Sequence, residues 1–134
     1  MIEGNFQILF LIGRIIYGGY FLMMGLNHFM KNEMLSGYAA SKNIPSPKLA
    51  VYLSGLFILL GGLGILVGKY TFWSAILIAV FLILVSFKMH NYWKDEDPNA
   101  KMMNMTHFLK NLALLGGALM LMSIPEEFWP WPLF

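Results

Sequence analysis

The chain has 134 residues, of which 58% are hydrophobic and only 12% are charged. A soluble domain carries about a quarter charged residues, so the composition indicates a membrane protein, and the net charge of +2 includes no basic patch of the kind that binds nucleic acid. The chain has no cysteine, which excludes thiol redox cycling and thiolate metal sites within it, so a redox role would need a bound cofactor or a partner protein.

Apolar stretches of spanning length fill nearly the whole sequence. A helix needs about 20 residues to cross a bilayer, and we predict spans at about 6–30, 49–68, 70–93 and 102–124. The sequence therefore predicts an all-α protein, with residues 1–134 forming a single transmembrane domain, an integral membrane four-helix bundle. The N-terminal residues lack the basic region and the small-residue cleavage site of a signal peptide, so we expect the first span to be retained.

The first span contains Arg14 and ends near His28. Gly18 and Gly25 lie near the same helical face, at steps of three and four residues, and small residues allow membrane helices to approach closely. No acidic residue lies within any predicted span to pair with Arg14. Its side chain either reaches the outer interface, near the acidic residues after the last span, or binds a ligand inside the membrane.

Residues 32–43 predict a short interfacial helix between spans one and two, with Asn32 as its cap. The second span contains a GxxxG pair, Gly64 and Gly68, which favours close helix packing. Because only residues 69–70 separate the second span from the third, these two must be antiparallel neighbours. The glycine faces are also the surfaces through which we expect a homo-oligomer to form.

Polar side chains occur at the same end of three spans, and we call them the polar collar: Asn27, His28, His90, Asn91, His107, Lys110 and Asn111. The last span reaches bilayer length only if it takes His107 and Lys110 into the membrane, because the uncharged stretch after them is too short. Ionisable groups at such depth are costly and indicate functional sites. We therefore predict that the collar forms one ligand site, with Arg14 as a further candidate.

Lysines are unequally distributed between the two sides of the predicted bundle. Lys31, Lys42, Lys48, Lys94 and Lys101 lie in the loops after spans one and three, whereas the other side has only Lys69 and the N-terminal amine. Short loops rich in lysine and arginine stay in the cytoplasm. The polar collar is therefore predicted to be cytoplasmic, with both termini extracytoplasmic.

Several interpretations of the polar collar remain open. Histidine and asparagine can donate hydrogen bonds to a quinone carbonyl while apolar neighbours accept its ring and tail. Three neutral imidazoles could instead hold a metal ion, or two could ligate a haem, or the groups could simply cap helix ends. The metal interpretation is weakened because His-x-x-Lys is not ligand spacing and no carboxylate lies within the spans.

Short motifs spread over nearly the whole chain: Gly13-Arg14, Gly25-Leu26-Asn27-His28-Phe29, Gly37-Tyr38-Ala39, Pro45-Ser46-Pro47, Gly61-Gly62-Leu63, and residues 89–93 and 107–117. Together they resemble the DoxX family of small four-helix membrane proteins. Many members carry a glutamate before the glycines of the second span, where the nearby polar residue of this chain is Ser54.

The resemblance implies a prokaryotic inner-membrane protein linked to redox chemistry. Relatives serve as the membrane part of thiosulfate:quinone oxidoreductase, or associate with superoxide-detoxifying and sulfurtransferase proteins. We therefore expect a quinone- or lipid-binding membrane subunit that contacts the bilayer and a redox partner protein and is not catalytic alone, with quinone favoured over metal or haem. The residues expected at the headgroup are His28, His90, His107, Lys110 and Asn111.

Two other functions compete with this expectation. The chain could be a membrane scaffold whose collar docks a cytoplasmic partner. It could also be a transporter for a small solute, with Arg14 and Lys110 along its path. A pocket that opens laterally to lipid favours the quinone, a collar filled by mutual hydrogen bonds favours the scaffold, and a polar path joining the two cations favours transport.

Overall fold

The computed structural model describes residues 4–132, so residues 1–3 and 133–134 of the predicted domain lie outside it. The helices are α1 (Asn5–Met30), α2 (Asn32–Ser41), α3 (Pro47–Val67), α4 (Thr71–Met89) and α5 (Pro98–Met122), with 3₁₀ turns at Tyr92–Lys94 and Glu126–Phe128. All of these helices except α2 belong to segments long and apolar enough to cross a membrane. The predicted all-α membrane bundle with a short helix between the first two spans is confirmed.

The helix ends differ from the predicted spans, most at the end of α4, which is Met89 and not the predicted 93, and at the start of α5. Local chemistry explains the start of α5 and the role of Asn32. Helix α5 begins at Pro98, ahead of the predicted 102. Proline suits the first turn of a helix, and the Asp97 carboxylate caps it by accepting a hydrogen bond from the Ala100 backbone at 3.0 Å. Asn32 does not cap α2. Its side-chain nitrogen instead donates to the carbonyl of Lys48 at 3.2 Å and ties α2 to the start of α3.

Glycines determine how closely α1 and α3 pack, and this pair is the most extensive contact of the bundle. A Cβ atom added at Gly62 would lie 2.6 Å from the backbone nitrogen of Leu22, and one at Gly25 would lie 2.8 Å from the Cα of Leu59. Side chains at these positions would force the helices apart. Gly68 of the GxxxG pair has another role, because its φ of 73° ends α3 in the left-handed conformation.

The spatial order of the long helices follows the chain, because α1 packs on α3, α3 on α4 and α4 on α5. We call the end with the α3–α4 turn the turn end, and the opposite end the α2 end. At the turn half of the bundle, the Tyr17 hydroxyl donates to the Leu114 carbonyl at 2.5 Å, and the Phe10 and Trp129 rings lie 5.1 Å apart. Otherwise α1 and α5 share almost no close backbone contact, which leaves space between them toward the α2 end.

Candidate functional site

A cavity of about 770 Å³ occupies the α2-end half of the bundle. Its walls come from α1, α3, α4 and α5, and α2 borders it together with the loop that leads into α3. The apolar lining includes Phe21, Met24, Leu35, Val51, Phe57 and Phe81. Both the volume and the apolar lining are typical of small-molecule sites, which measure about 300–1,000 Å³.

The structure places half of the predicted site residues on this cavity. His28 comes from α1, His90 follows α4, and Lys110 and Asn111 come from α5. The remaining predicted residues do not line it: Asn27, Asn91, His107 and Arg14. Three separate spans therefore contribute polar groups to one space, while the other members of the collar lie around it.

Asn111 is a largely buried polar group of the cavity. Its side chain lines the cavity, is 6% exposed, and has no hydrogen-bond partner within residues 4–132. The fully enclosed unpaired side-chain atoms of these residues are Asn32 Oδ1 and Thr71 Oγ1, so the Asn111 amide is not sealed from the cavity. A primary amide offers two donors and an acceptor, which at this position can hydrogen-bond a polar ligand.

His28 presents a free acceptor at the same cavity. Its Nδ1 lies 2.7 Å from the Met24 carbonyl oxygen, one turn earlier on α1. Because a carbonyl oxygen only accepts, Nδ1 must carry the proton, and Nε2 of the neutral ring is then an acceptor. Within the described part of the chain Nε2 has no partner. The His28 ring makes an edge-to-face contact with the Phe81 ring, with 5.7 Å between the two centroids.

The cavity adjoins a groove on the outer surface of the bundle between α1 and α5. The groove has a volume of about 360 Å³ and shares Tyr20, Lys110 and Leu114 with the cavity. It is also lined by Ile16, which is 68% exposed and in a spanning helix faces lipid. At this shared boundary, which we call the lateral opening, the Lys110 ammonium donates to the Tyr20 hydroxyl at 3.3 Å.

A hydrogen-bond network centred on Asn104 borders the cavity at the α2 end. The Asn104 amide oxygen accepts from His90 Nδ1 at 3.2 Å and from the Tyr38 hydroxyl at 3.3 Å. Its nitrogen donates to the Asp95 carboxylate at 2.7 Å, and Asp95 lies 3.9 Å from the Lys42 ammonium. The network holds the His90 ring and makes its Nδ1 a donor, so Nε2 of the neutral ring is again an acceptor.

Tyr38 lies outside the spans and bridges α2 to this network. Its single hydroxyl proton is shared between the Asn104 amide oxygen and the Met89 carbonyl, which lies 3.2 Å from the hydroxyl oxygen. Burial raises the pKa of the Tyr38 phenol above its usual 10.0, the hydrogen bond to Asn104 lowers it, and the charge of Asp95 raises it. The phenol therefore remains a neutral donor over the whole physiological pH range.

Two members of the collar lie beside the network instead of in the cavity. The Asn91 side-chain oxygen accepts from the Lys42 ammonium at 3.0 Å. The His107 ring stacks on His90, with 4.9 Å between centroids and 33° between planes. His28 packs on α4 through Phe81 instead of joining the other two imidazoles. Among residues 4–132, no group of three His, Asp or Glu side chains is placed to share a metal ion.

Sequence reasoning missed Asn104 and Asp95. Asn104 lies two helical turns before Asn111 on α5 and is 7% exposed. The helical periodicity of α5 therefore places Asn104 on the same buried face as Asn111 and could have identified it. Asp95 instead reaches the site through the loop after α4. Its contact with Lys42 joins two loops that no sequence periodicity relates.

Arg14 lies at the turn end, away from the cavity. It is 2% exposed, so its side chain is enclosed by the protein. Its guanidinium donates to the carbonyls of Ile65 at 3.2 Å and Leu66 at 2.7 Å, where the last carbonyls of α3 lack helical partners. It also contacts the Trp131 carbonyl at 3.4 Å and lies 5.6 Å from the Trp129 ring. Arg14 thus fastens the segment after α5 to the end of α3.

Comparison with known proteins agrees with this architecture. A family model described as DoxX matches residues 9–91, a range that holds Arg14, His28 and His90 but not α5. Inner membrane protein YphA of Escherichia coli (strain K12) is 29% identical over 114 residues, which cover 85% of this chain and 81% of that protein. No solved structure matches the chain.

Proposed function

The chain belongs to the DoxX family, and on this premise we propose that its cavity binds the headgroup of a quinone-type lipid taken from the surrounding bilayer. In this proposal the protein resides in the inner membrane, as the name of its relative YphA suggests, with both termini extracytoplasmic. It is a membrane subunit of a redox system and not an enzyme by itself. The bound quinone would supply the redox chemistry, and a partner protein would exchange electrons with it.

The observation that carries the proposal is the unpartnered amide of Asn111 in an otherwise largely apolar cavity. A quinone ring carries two oxygen atoms on a flat apolar body. Its ring fits the apolar lining of α1, α3 and α4, and one oxygen can pair with the Asn111 amide. Asn111, His28 and His90 are the side chains that would hold the headgroup.

The lateral opening supports a ligand with an apolar tail. The groove between α1 and α5 borders the cavity at Tyr20, Lys110 and Leu114, and its other lining includes the exposed Ile16. A tail that leaves by this route stays in hydrocarbon, so the headgroup reaches its polar partners without crossing an aqueous phase. Lys110 and Tyr20 stand at the opening and can contact the headgroup as it enters.

The scaffold alternative explains only part of the polar collar. Around Asn104, donors and acceptors satisfy one another, as a structural collar would. Inside the cavity, the Asn111 amide and the His28 Nε2 remain unpaired within the described residues. The transport alternative needs a path from Arg14 to Lys110, and Arg14 is enclosed by backbone carbonyls outside the cavity.

The test is extraction of lipids from protein purified in mild detergent, followed by mass spectrometry. We expect quinone to accompany the wild type and to fall at least tenfold in Asn111→Leu. Asn99→Leu is the matched control, because Asn99 is exposed at the start of the same helix and should leave the quinone content unchanged. If the wild type carries no quinone, and added short-chain quinones do not raise its unfolding temperature, the proposed function is wrong.

A further inference from the structure

We propose that the cavity discriminates between the redox states of its headgroup and prefers the reduced, hydroxyl-bearing form over the oxidised, carbonyl-bearing form. This inference rests on the proposed function and deepens it by naming the form of the ligand. It follows from which hydrogen-bonding groups of the cavity are already engaged and which remain free.

Both histidines of the cavity have their donor atom engaged by an oxygen of the protein. In His28, Nδ1 donates to the Met24 carbonyl, and in His90, Nδ1 donates to the Asn104 amide oxygen. A second proton on either ring would create a cation within a spanning segment, which is costly. In each neutral ring the remaining nitrogen, Nε2, is therefore a hydrogen-bond acceptor.

The hydrogen bonds of Asn104 reinforce this assignment for His90. Asn104 cannot turn its amide around to accept from its other side, because its nitrogen donates to the Asp95 carboxylate at 2.7 Å. A carboxylate only accepts hydrogen bonds, so the Asn104 nitrogen must face Asp95 and the oxygen must face His90. The chain Asp95–Asn104–His90 thus determines which nitrogen of the imidazole holds the proton.

Most donors that line the cavity lie at its periphery, since Asn43, Lys88 and Lys110 are exposed. The Lys42 ammonium is held by Asn91 and Asp95. Lys110 donates to Tyr20 at the lateral opening. The buried Asn111 amide accepts as readily as it donates, so it suits either redox state. The groups that distinguish the two states are therefore the two imidazole acceptors.

A hydroquinone donates through two hydroxyl groups, whereas a quinone offers only carbonyl oxygens. A carbonyl opposite an imidazole Nε2 places two acceptors against each other and leaves both unpaired. Sites built to hydrogen-bond a hydroxyl reject analogues that lack it, by factors far above tenfold when the groups are well buried. Because His28 and His90 are only half-buried, we expect the reduced form to bind about tenfold to a hundredfold more tightly.

The experiment measures dissociation constants of decylubiquinol and decylubiquinone for the full chain in lipid nanodiscs. The reduced ligand is kept under anaerobic conditions. His28→Asn and His90→Asn are the test variants, because asparagine can retain a donor near the position of Nδ1 while removing Nε2. His107→Asn is the control, since His107 lies next to His90 but does not line the cavity.

Each outcome decides between the two proposals. Tighter quinol binding that declines toward equality in both test variants, and persists in His107→Asn, supports the inference. Equal binding of the two forms, tighter quinone binding, or a quinol preference that survives both test variants overturns the inference and leaves the proposed function intact. Failure of the wild type to bind either form overturns the proposed function itself.

Discussion

Replacing Asn111 by leucine is expected to make the ligand-free protein more stable and at the same time to remove ligand binding. The wild-type amide is 6% exposed and unpartnered within the described residues. Leucine has the same branching as asparagine and no polar atoms, and the neighbouring cavity can accept its extra volume. The amide atoms are not sealed from the cavity, so their removal relieves only about 1 kcal/mol, the lower end of the cost of an unsatisfied buried group. For a chain of this length that corresponds to a rise in unfolding temperature of about 3–5 °C.

The assay is thermal unfolding of delipidated protein in detergent, followed by tryptophan fluorescence, with and without a short-chain quinone. Ligand at about one hundred times its dissociation constant stabilises the wild type by about 2.7 kcal/mol. Asn111→Leu should start from a higher unfolding temperature and gain nothing from the ligand. Asn99→Leu changes an exposed residue and should remain within about 0.5 kcal/mol of the wild type while keeping the ligand response.

A lower unfolding temperature for ligand-free Asn111→Leu would refute this reasoning. It would mean that the amide already forms stabilising hydrogen bonds in the ligand-free protein. The cavity would then lack the unsatisfied group on which the proposed function depends. A stabilised variant that still responds to the quinone would instead show that the ligand binds without Asn111.

Three further predictions address the frame around the cavity. Arg14→Leu should lower stability by about 3 kcal/mol or more, since it leaves several buried carbonyls without a donor, and limited proteolysis should then cut the segment after α5 faster than in the wild type. Gly18→Ala should destabilise by about 1–3 kcal/mol, because the added Cβ would lie 2.9 Å from the Gly62 carbonyl oxygen. At Gly19 an added Cβ would have no atom within 4 Å, so Gly19→Ala should stabilise the protein by about 0.5–1 kcal/mol. Equal unfolding temperatures for the two variants would contradict the close packing of α1 on α3. The pKa of the Tyr38 phenol is raised, so its contribution to stability is present below pH 10.0 and is lost as the pH rises through the raised value. Tyr38→Phe should therefore lose less stability at alkaline pH than the wild type. An unchanged alkaline unfolding transition in this variant would contradict the prediction.

The long helices could be predicted from the sequence because lipid imposes a strong constraint on the chain. A spanning segment must satisfy its backbone internally and present apolar side chains over about 20 residues. That requirement is local, and it identifies α1, α3, α4 and α5 without knowledge of their contacts. The close approach at Gly18 and Gly25 of α1 was also anticipated, since glycine on a helical face has few other uses in a membrane.

The division of the polar collar could not be predicted in this way. Periodicity places His107, Lys110 and Asn111 near one face of α5, yet only Lys110 and Asn111 line the cavity. Which of these side chains lines the cavity depends on how far α1 lies from α5 and on how the loop after α4 brings Asp95 to Asn104. Both are non-local, and each depends on the packing of whole helices.

Arg14 and Asn111 show how two buried polar groups in one membrane protein can have opposite meanings. By position alone both count as functional, because polar groups inside a bilayer are costly. The Arg14 guanidinium is surrounded by backbone carbonyls from α3 and from the segment after α5, so its cost is offset within the chain and we assign it to architecture. The Asn111 amide has no such partner among residues 4–132, and under the proposed function a ligand in the cavity supplies one. The number of protein partners, more than burial or charge, is therefore the observation by which we propose Arg14 as a structural residue and Asn111 as a ligand-binding residue.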